Sequence, residues 1–195
     1  MNTTLDTPKT EELPRRGFLS GLGRTALSGT AIALLAGSEI LATSEAAKAG
    51  SAADDVRILN TALGAEQEAI AAYQVGAESG LLQNPVLNLA VQFQGHHKEH
   101  ADVLASTVAK LGGKPVEPLK SYDFPVDKLK SQEDVLKFAA SLEKGAVSAY
   151  LGAVPLFENR DLAKAAASIL GDEAMHWAVL RYALGENPVP SAFVT

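Results

Sequence analysis

Residues 59–73, LNTALGAEQEAIAAY, and residues 136–150, LKFAASLEKGAVSAY, decide how this chain folds. Set side by side they agree at five core-spaced positions: Leu59 with Leu136, Ala62 with Ala139, Glu66 with Glu143, Ala69 with Ala146 and Tyr73 with Tyr150. The steps alternate between three and four residues, which traces one stripe down an α-helix. Each stretch is therefore the core face of a helix, and each carries a glutamate at its middle. A carboxylate there is costly to bury unless a cation or hydrogen-bond donors meet it.

Working outward, each stripe heads a helical hairpin. Helix A is expected over residues 53–79, stopping near Gly80. Helix B covers 85–111, with Pro85 at its start and Gly112 and Gly113 past its end, the usual placing of those residues. Helix C begins after Ser131, an N-cap with Glu133 and Asp134 in the following turn, and ends between Pro155 and Asn159. Helix D covers 161–184 and stops at Gly185. Helices B and D repeat more loosely, pairing Gly95 with Gly171, His100 with His176 and Leu104 with Leu180. The expected fold is all-α: a four-helix bundle made of two repeated hairpins. The halves join through a charged stretch, residues 112–131, that contains Pro115, Pro118 and Pro125. Helices of about 27 residues span roughly 40 Å, and a linker of about 18 residues reaches up to roughly 60 Å. The linker is thus long enough for a crossover along the whole bundle.

Composition narrows the chemistry. The 195 residues suffice for one domain and a leader. Hydrophobic residues make up 47%, charged residues 21% and aromatics only 6%. There is no cysteine, which excludes disulfides, zinc–thiolate sites, iron–sulfur clusters and lipid attachment through a thiol. Any metal must be held by oxygen and nitrogen. The net charge of −6, with no basic block beyond the leader, argues against nucleic acid as a partner. Residues 1–49 read as a targeting segment. Arg15-Arg16-Gly17-Phe18-Leu19 resembles the twin-arginine export signal; a mildly apolar stretch follows, and Ala47-Lys48-Ala49 offers a cleavage site. Residues 50–195 would then be the exported domain, in the periplasm or outside the cell.

Counting residues along the bundle brings the polar core positions to one level. Glu66 and Glu143 each lie about 16 residues before a hairpin break, roughly 24 Å at helical rise. On helix D, Glu173 and His176 form an E-x-x-H pair on one helix face. On helix B the matching pair is His97 and His100. Both pairs lie a similar distance after a break. In antiparallel hairpins Glu66, His97, His100, Glu143, Glu173 and His176 converge at mid-bundle as expected metal ligands. This is close to the carboxylate-bridged dimetal layout. His96 is expected outside the cluster, because the repeat aligns it with Asp172. Glu68 and Glu99 are expected to be solvated, and Tyr73, Tyr150, Trp177 and Met175 to serve packing.

The segments Glu66-Gln67-Glu68-Ala69-Ile70-Ala71-Ala72-Tyr73 and Glu143-Lys144-Gly145-Ala146-Val147-Ser148-Ala149-Tyr150 resemble the E-x-x-A-x-x-x-Y pattern of rubrerythrin-like helices. Asp172-Glu173-Ala174-Met175-His176 resembles the E-x-x-H of ferritins, rubrerythrins and manganese catalases. The resemblance covers about residues 53–185 and implies a ferritin-like bundle with a divalent metal, iron or manganese first, zinc or copper next. One position departs from the pattern: His97 stands where the family has a glutamate. One bridging carboxylate is lost, which leaves both a mononuclear and a dimetal centre open. The expected function is an exported metal-binding protein. As an oxidoreductase it would act on peroxide, dioxygen or ferrous iron, with the metal ion and a small oxidant as partners. The alternative is a non-enzymatic envelope stress or interaction protein that uses the bundle as a scaffold. The sequence leaves a homo-oligomer open.

Overall fold

A computed structural model describes residues 46–194 of the chain. The twin-arginine pair and the apolar stretch after it lie outside the described residues. Four α-helices form the body: α1 (Ala46–Glu78), α2 (Asn84–Lys110), α3 (Gln132–Ala153) and α4 (Arg160–Ala183), with short 3-10 turns at Val126–Lys128 and Val154–Leu156. No strand occurs among the described residues. No helix among them is long and apolar enough to cross a membrane.

Local chemistry sets the helix ends. Ser131 accepts a hydrogen bond from the backbone N–H of Asp134 at 3.2 Å, which caps α3. Asn159 caps α4 in the same way through Asp161, at 2.9 Å. Gly112 and Gly185 follow α2 and α4 with φ of 80° and 76°, left-handed values that a side chain disfavours and that end a helix cleanly. The start of α1 differs from the sequence reading. The helix begins at Ala46 rather than near residue 53, so Ala47-Lys48-Ala49 lies in its opening turns. Alanine, the strongest helix former, dominates this segment.

Helix α1 packs chiefly on α2, and α3 on α4. The two hairpins meet through α1 with α3 and α2 with α4. One apolar cluster joins Leu59 and Leu63 of α1, Leu104 and Val108 of α2, Tyr150 and Ala153 of α3, and Ala166 and Ile169 of α4. The other joins Tyr73, Phe93, Leu136, Ala140 and Leu180. Hence the start of α1 lies beside the end of α3, and all contacting helices run antiparallel. Helix α2 ends at the first cluster and α3 begins at the second, so the connection must travel the length of the bundle. It runs along α1. The Asn60 amide donates to the Lys114 carbonyl at 3.0 Å and accepts from the Val116 N–H at 2.8 Å. Gln67 donates to the Val116 carbonyl at 2.9 Å. Near the far end, the Gln132 side chain accepts from the Gln83 N–H at 2.8 Å.

Candidate metal centre

Between the two apolar clusters lies a polar layer. Glu66 on α1, His97 on α2, Glu143 on α3, and Glu173 and His176 on α4 are each 3% exposed or less. His100 completes the layer at 14% side-chain exposure. All six residues expected at mid-bundle therefore come together, each helix contributing at least one. His97 is fully enclosed, which excludes a half-exposed surface histidine at that position.

The His97 ring stands at the centre. Its Nδ1 lies 2.8 Å from Glu66 Oε2 and its Nε2 lies 3.3 Å from Glu143 Oε1. The imidazole thus links the two stripe glutamates. Tyr73 donates a short hydrogen bond to Glu143, and Tyr150 donates to Glu66 at 2.5 Å. Each hairpin's tyrosine holds the other hairpin's glutamate, the exchange that a pseudo-twofold axis between repeats requires. The packing role expected of these tyrosines is real, since both belong to the apolar clusters. The phenols are nonetheless tied to the polar layer. Burial, and then the charge of the facing carboxylate, push both phenols well above their ordinary pKa.

Glu173 lies between two half-sites. Its Oε1 is 3.2 Å from His100 Nδ1, and its Oε2 is 3.5 Å from His176 Nδ1. Neither contact is aligned as a hydrogen bond: both Glu173 oxygens and both Nδ1 atoms are buried without a partner. Buried polar atoms are normally paired, so four orphans converging at one level suit a cation well. The donor atoms gather into two overlapping groups, Glu66–His97–His100–Glu173 and His97–Glu143–Glu173–His176, each spanning no more than 4.8 Å. Glu173 faces both groups and is placed to bridge them.

The sequence reading did not assign a role to Asp172. Its Oδ2 lies 3.4 Å from His100 Nε2 and 3.2 Å from His176 Nε2. Both are ion-pair contacts rather than aligned hydrogen bonds, and they set a negative charge against the outer edge of each ring, on the side away from Nδ1. The place of Asp172 directly before the E-x-x-H pair was the available signal. His96 lies outside the six-residue cluster, as expected, but its Nδ1 touches Asp172 at 3.0 Å. Trp177 packs against the second apolar cluster. Met175, expected to pack, is exposed; it projects from the outer face of α4. Glu68 is half-buried rather than solvated, and burial raises its pKa.

Without metal, protons take over part of the neutralisation. Burial alone would lower the pKa of His97, but its hydrogen bonds to Glu143 and Glu66 outweigh that and raise it to about 10. Burial also opposes the charge on His100 and His176; the adjacent carboxylates win, and both rise to about 9. Burial would raise Glu143, yet His176 and His97 hold it well below the usual carboxylate range.

A cavity of about 80 Å³ opens between α1 and α3 and reaches the layer at Glu66, His97 and Glu143. Its walls are mostly small side chains, among them Ala62, Ala65, Ala146 and Ala149.

A family model described as a ferritin-like domain matches residues 54–186. Solved structures share the fold, two among them. One is a conserved hypothetical protein from Mycobacterium tuberculosis, with 24% identity over 74% of this chain and 98% of that chain, and a TM-score of 0.63. The other is described as a ferritin-like, diiron-carboxylate protein from Bacillus anthracis, with 20% identity over 69% of this chain and 97% of that one, and a TM-score of 0.58. No curated protein matches the sequence.

Proposed function

The chain belongs to the ferritin-like domain family, and from that premise we propose that it is an exported metal-binding protein whose mid-bundle centre reacts with peroxide or dioxygen. The observation that carries the metal is the set of four buried, unpartnered donor atoms on His100, Glu173 and His176. An ion would be held either by Glu66 and His100 on one side of Glu173 or by Glu143 and His176 on the other. The likeness to a protein described as diiron-carboxylate supports a divalent ion, with iron or manganese first and zinc or copper next. Export rests on the Arg15-Arg16 motif and places the domain in the periplasm or outside the cell.

Charge favours one ion over two. Three carboxylates face the layer. One divalent ion together with a proton kept on His97 balances them. A second ion leaves an excess of positive charge in a buried site, which is unfavourable. His97 thereby takes the place of the missing bridging carboxylate as a built-in cation. A bound redox-active ion would supply one-electron chemistry toward an oxidant. The chain's own residues do the rest. Tyr73 and Tyr150 keep Glu143 and Glu66 in position, Asp172 sets a negative charge behind the two imidazoles, and the alanine-lined cavity has room for a molecule the size of peroxide.

The scaffold reading is favoured by one observation: both His97 nitrogens already meet carboxylates, so protons alone can neutralise part of the layer. The two readings separate on peroxide consumption by ferrous-loaded protein, compared with Glu143→Ala. Faster consumption by the wild type supports the reactive centre. Equal rates would contradict it and leave the scaffold.

A further inference from the structure

Helix α4 carries Asp172-Glu173 before His176, and at the repeat-related place α2 carries His96-His97 before His100. The exchange at 97 falls in the buried layer. The exchange at 96 falls outside it, against the far edge of the His176 ring. His96 Nδ1 lies 2.9 Å from His176 Nε2 and 3.0 Å from Asp172 Oδ2, and His176 Nε2 lies 3.2 Å from that same oxygen. These three atoms form a compact triangle of donors. A tetrahedral divalent ion with bonds of about 2.0–2.1 Å sets its ligand atoms roughly 3.3 Å apart, close to these edges.

Protons serve the triangle poorly. His100 Nε2 also lies 3.4 Å from Asp172 Oδ2, so three ring nitrogens crowd one carboxylate oxygen that has two lone pairs. The outer group also reaches solvent. The His96 and Asp172 side chains are 35% and 22% exposed, whereas the inner residues reach at most 14%.

We propose that His96, Asp172 and His176 form a solvent-facing loading site for a divalent cation of the zinc, cobalt(II) and iron(II) class, through which metal reaches the buried centre. The His176 ring is the shared element, with Nε2 on the outer triangle and Nδ1 3.4 Å from Glu143 Oε1. A neutral imidazole has one lone pair, so the ring holds a cation on one edge at a time. While the cation sits outside, the ring proton is on Nδ1. When the cation moves inward it displaces the Nδ1 proton, and Nε2, on the edge that faces Asp172, takes one up and keeps it, so the ring carries a single proton throughout. The proton count is unchanged.

The transfer rests on the buried centre binding metal; the outer triangle does not. The test uses metal-free full chain, cobalt(II) chloride and stopped-flow absorbance, with the final bound equivalents measured afterwards. His96→Ala should load roughly tenfold more slowly than wild type, as loss of a supporting ligand does elsewhere, and reach the same final buried content. Equal loading rates would overturn the proposal. If wild type takes up no buried ion, the preceding reading fails by itself. The outer site is then judged by a single weak equivalent in wild type: its loss in His96→Ala upholds the site, and its persistence there overturns it.

Discussion

At the residue scale, the hydrogen bonds from Tyr73 to Glu143 and from Tyr150 to Glu66 tie the two repeats together across the centre. Tyr150→Phe keeps the ring and removes the donor from a buried carboxylate. A hydrogen bond to a charged group contributes about 1.5–3 kcal/mol, so the metal-free protein should lose that much stability in urea denaturation. The histidines give a pH dependence with a definite sign. His97, His100 and His176 rise from 6.5 to about 10, 9 and 9 in the folded chain. Between the unfolded and folded values the folded state binds more protons, so unfolding becomes easier as pH rises. The stability these imidazoles contribute to the metal-free protein is complete below about pH 6.5 and is lost toward pH 9 to 10. Metal binding has the opposite slope, because the ligating imidazoles must shed protons first. Thermal melts across that range, with and without zinc, should therefore diverge. A metal-free protein whose melting temperature is flat or rising from pH 6.5 to 9.5 would contradict the assignment.

At the scale of elements, Asp55 of α1 shows what a linear reading misses. It is buried, and its two oxygens accept the backbone N–H groups of Glu158 at 3.0 Å and Asn159 at 3.2 Å. This fastens the start of α4 to α1. Asp55→Ala leaves both donors in want of a partner and should cost about 1–3 kcal/mol. Denaturation of the single variant checks the figure; a change too small to measure would mean that water replaces the carboxylate at no cost. The contact joins residues about a hundred positions apart in the chain, and no periodicity marks it. The glycine stops and the Ser131 cap, by contrast, were legible because they depend only on their immediate neighbours. The length of the linker permitted a crossover; that it runs along α1 depends on the Asn60 and Gln67 amides, which from sequence alone look like ordinary surface residues.

At the scale of the whole molecule, the fold and the level of the polar layer were readable because the duplication writes them twice. Five matching positions fix the faces of α1 and α3, and helical rise brings Glu66, His97, His100, Glu143, Glu173 and His176 to one height. The directions of ring nitrogens and carboxylate oxygens were not readable, since they depend on rotamers set by all four helices together. The roles of Asp172 and of the two tyrosines emerged only there. Substituting His97→Glu restores the second carboxylate before the α2 histidine and removes the built-in cation, so a second ion should bind more tightly in that variant than in wild type. The central claim is that the layer is a metal centre. The direct measurement is metal content by elemental analysis of the natively produced protein, paired with its melting temperature before and after chelation. The account predicts about one divalent ion per chain, a lower melting temperature once it is removed, and recovery with one specific ion through stabilisation by binding. Freshly purified native protein that carries no metal, and whose melting no divalent ion shifts, would contradict it.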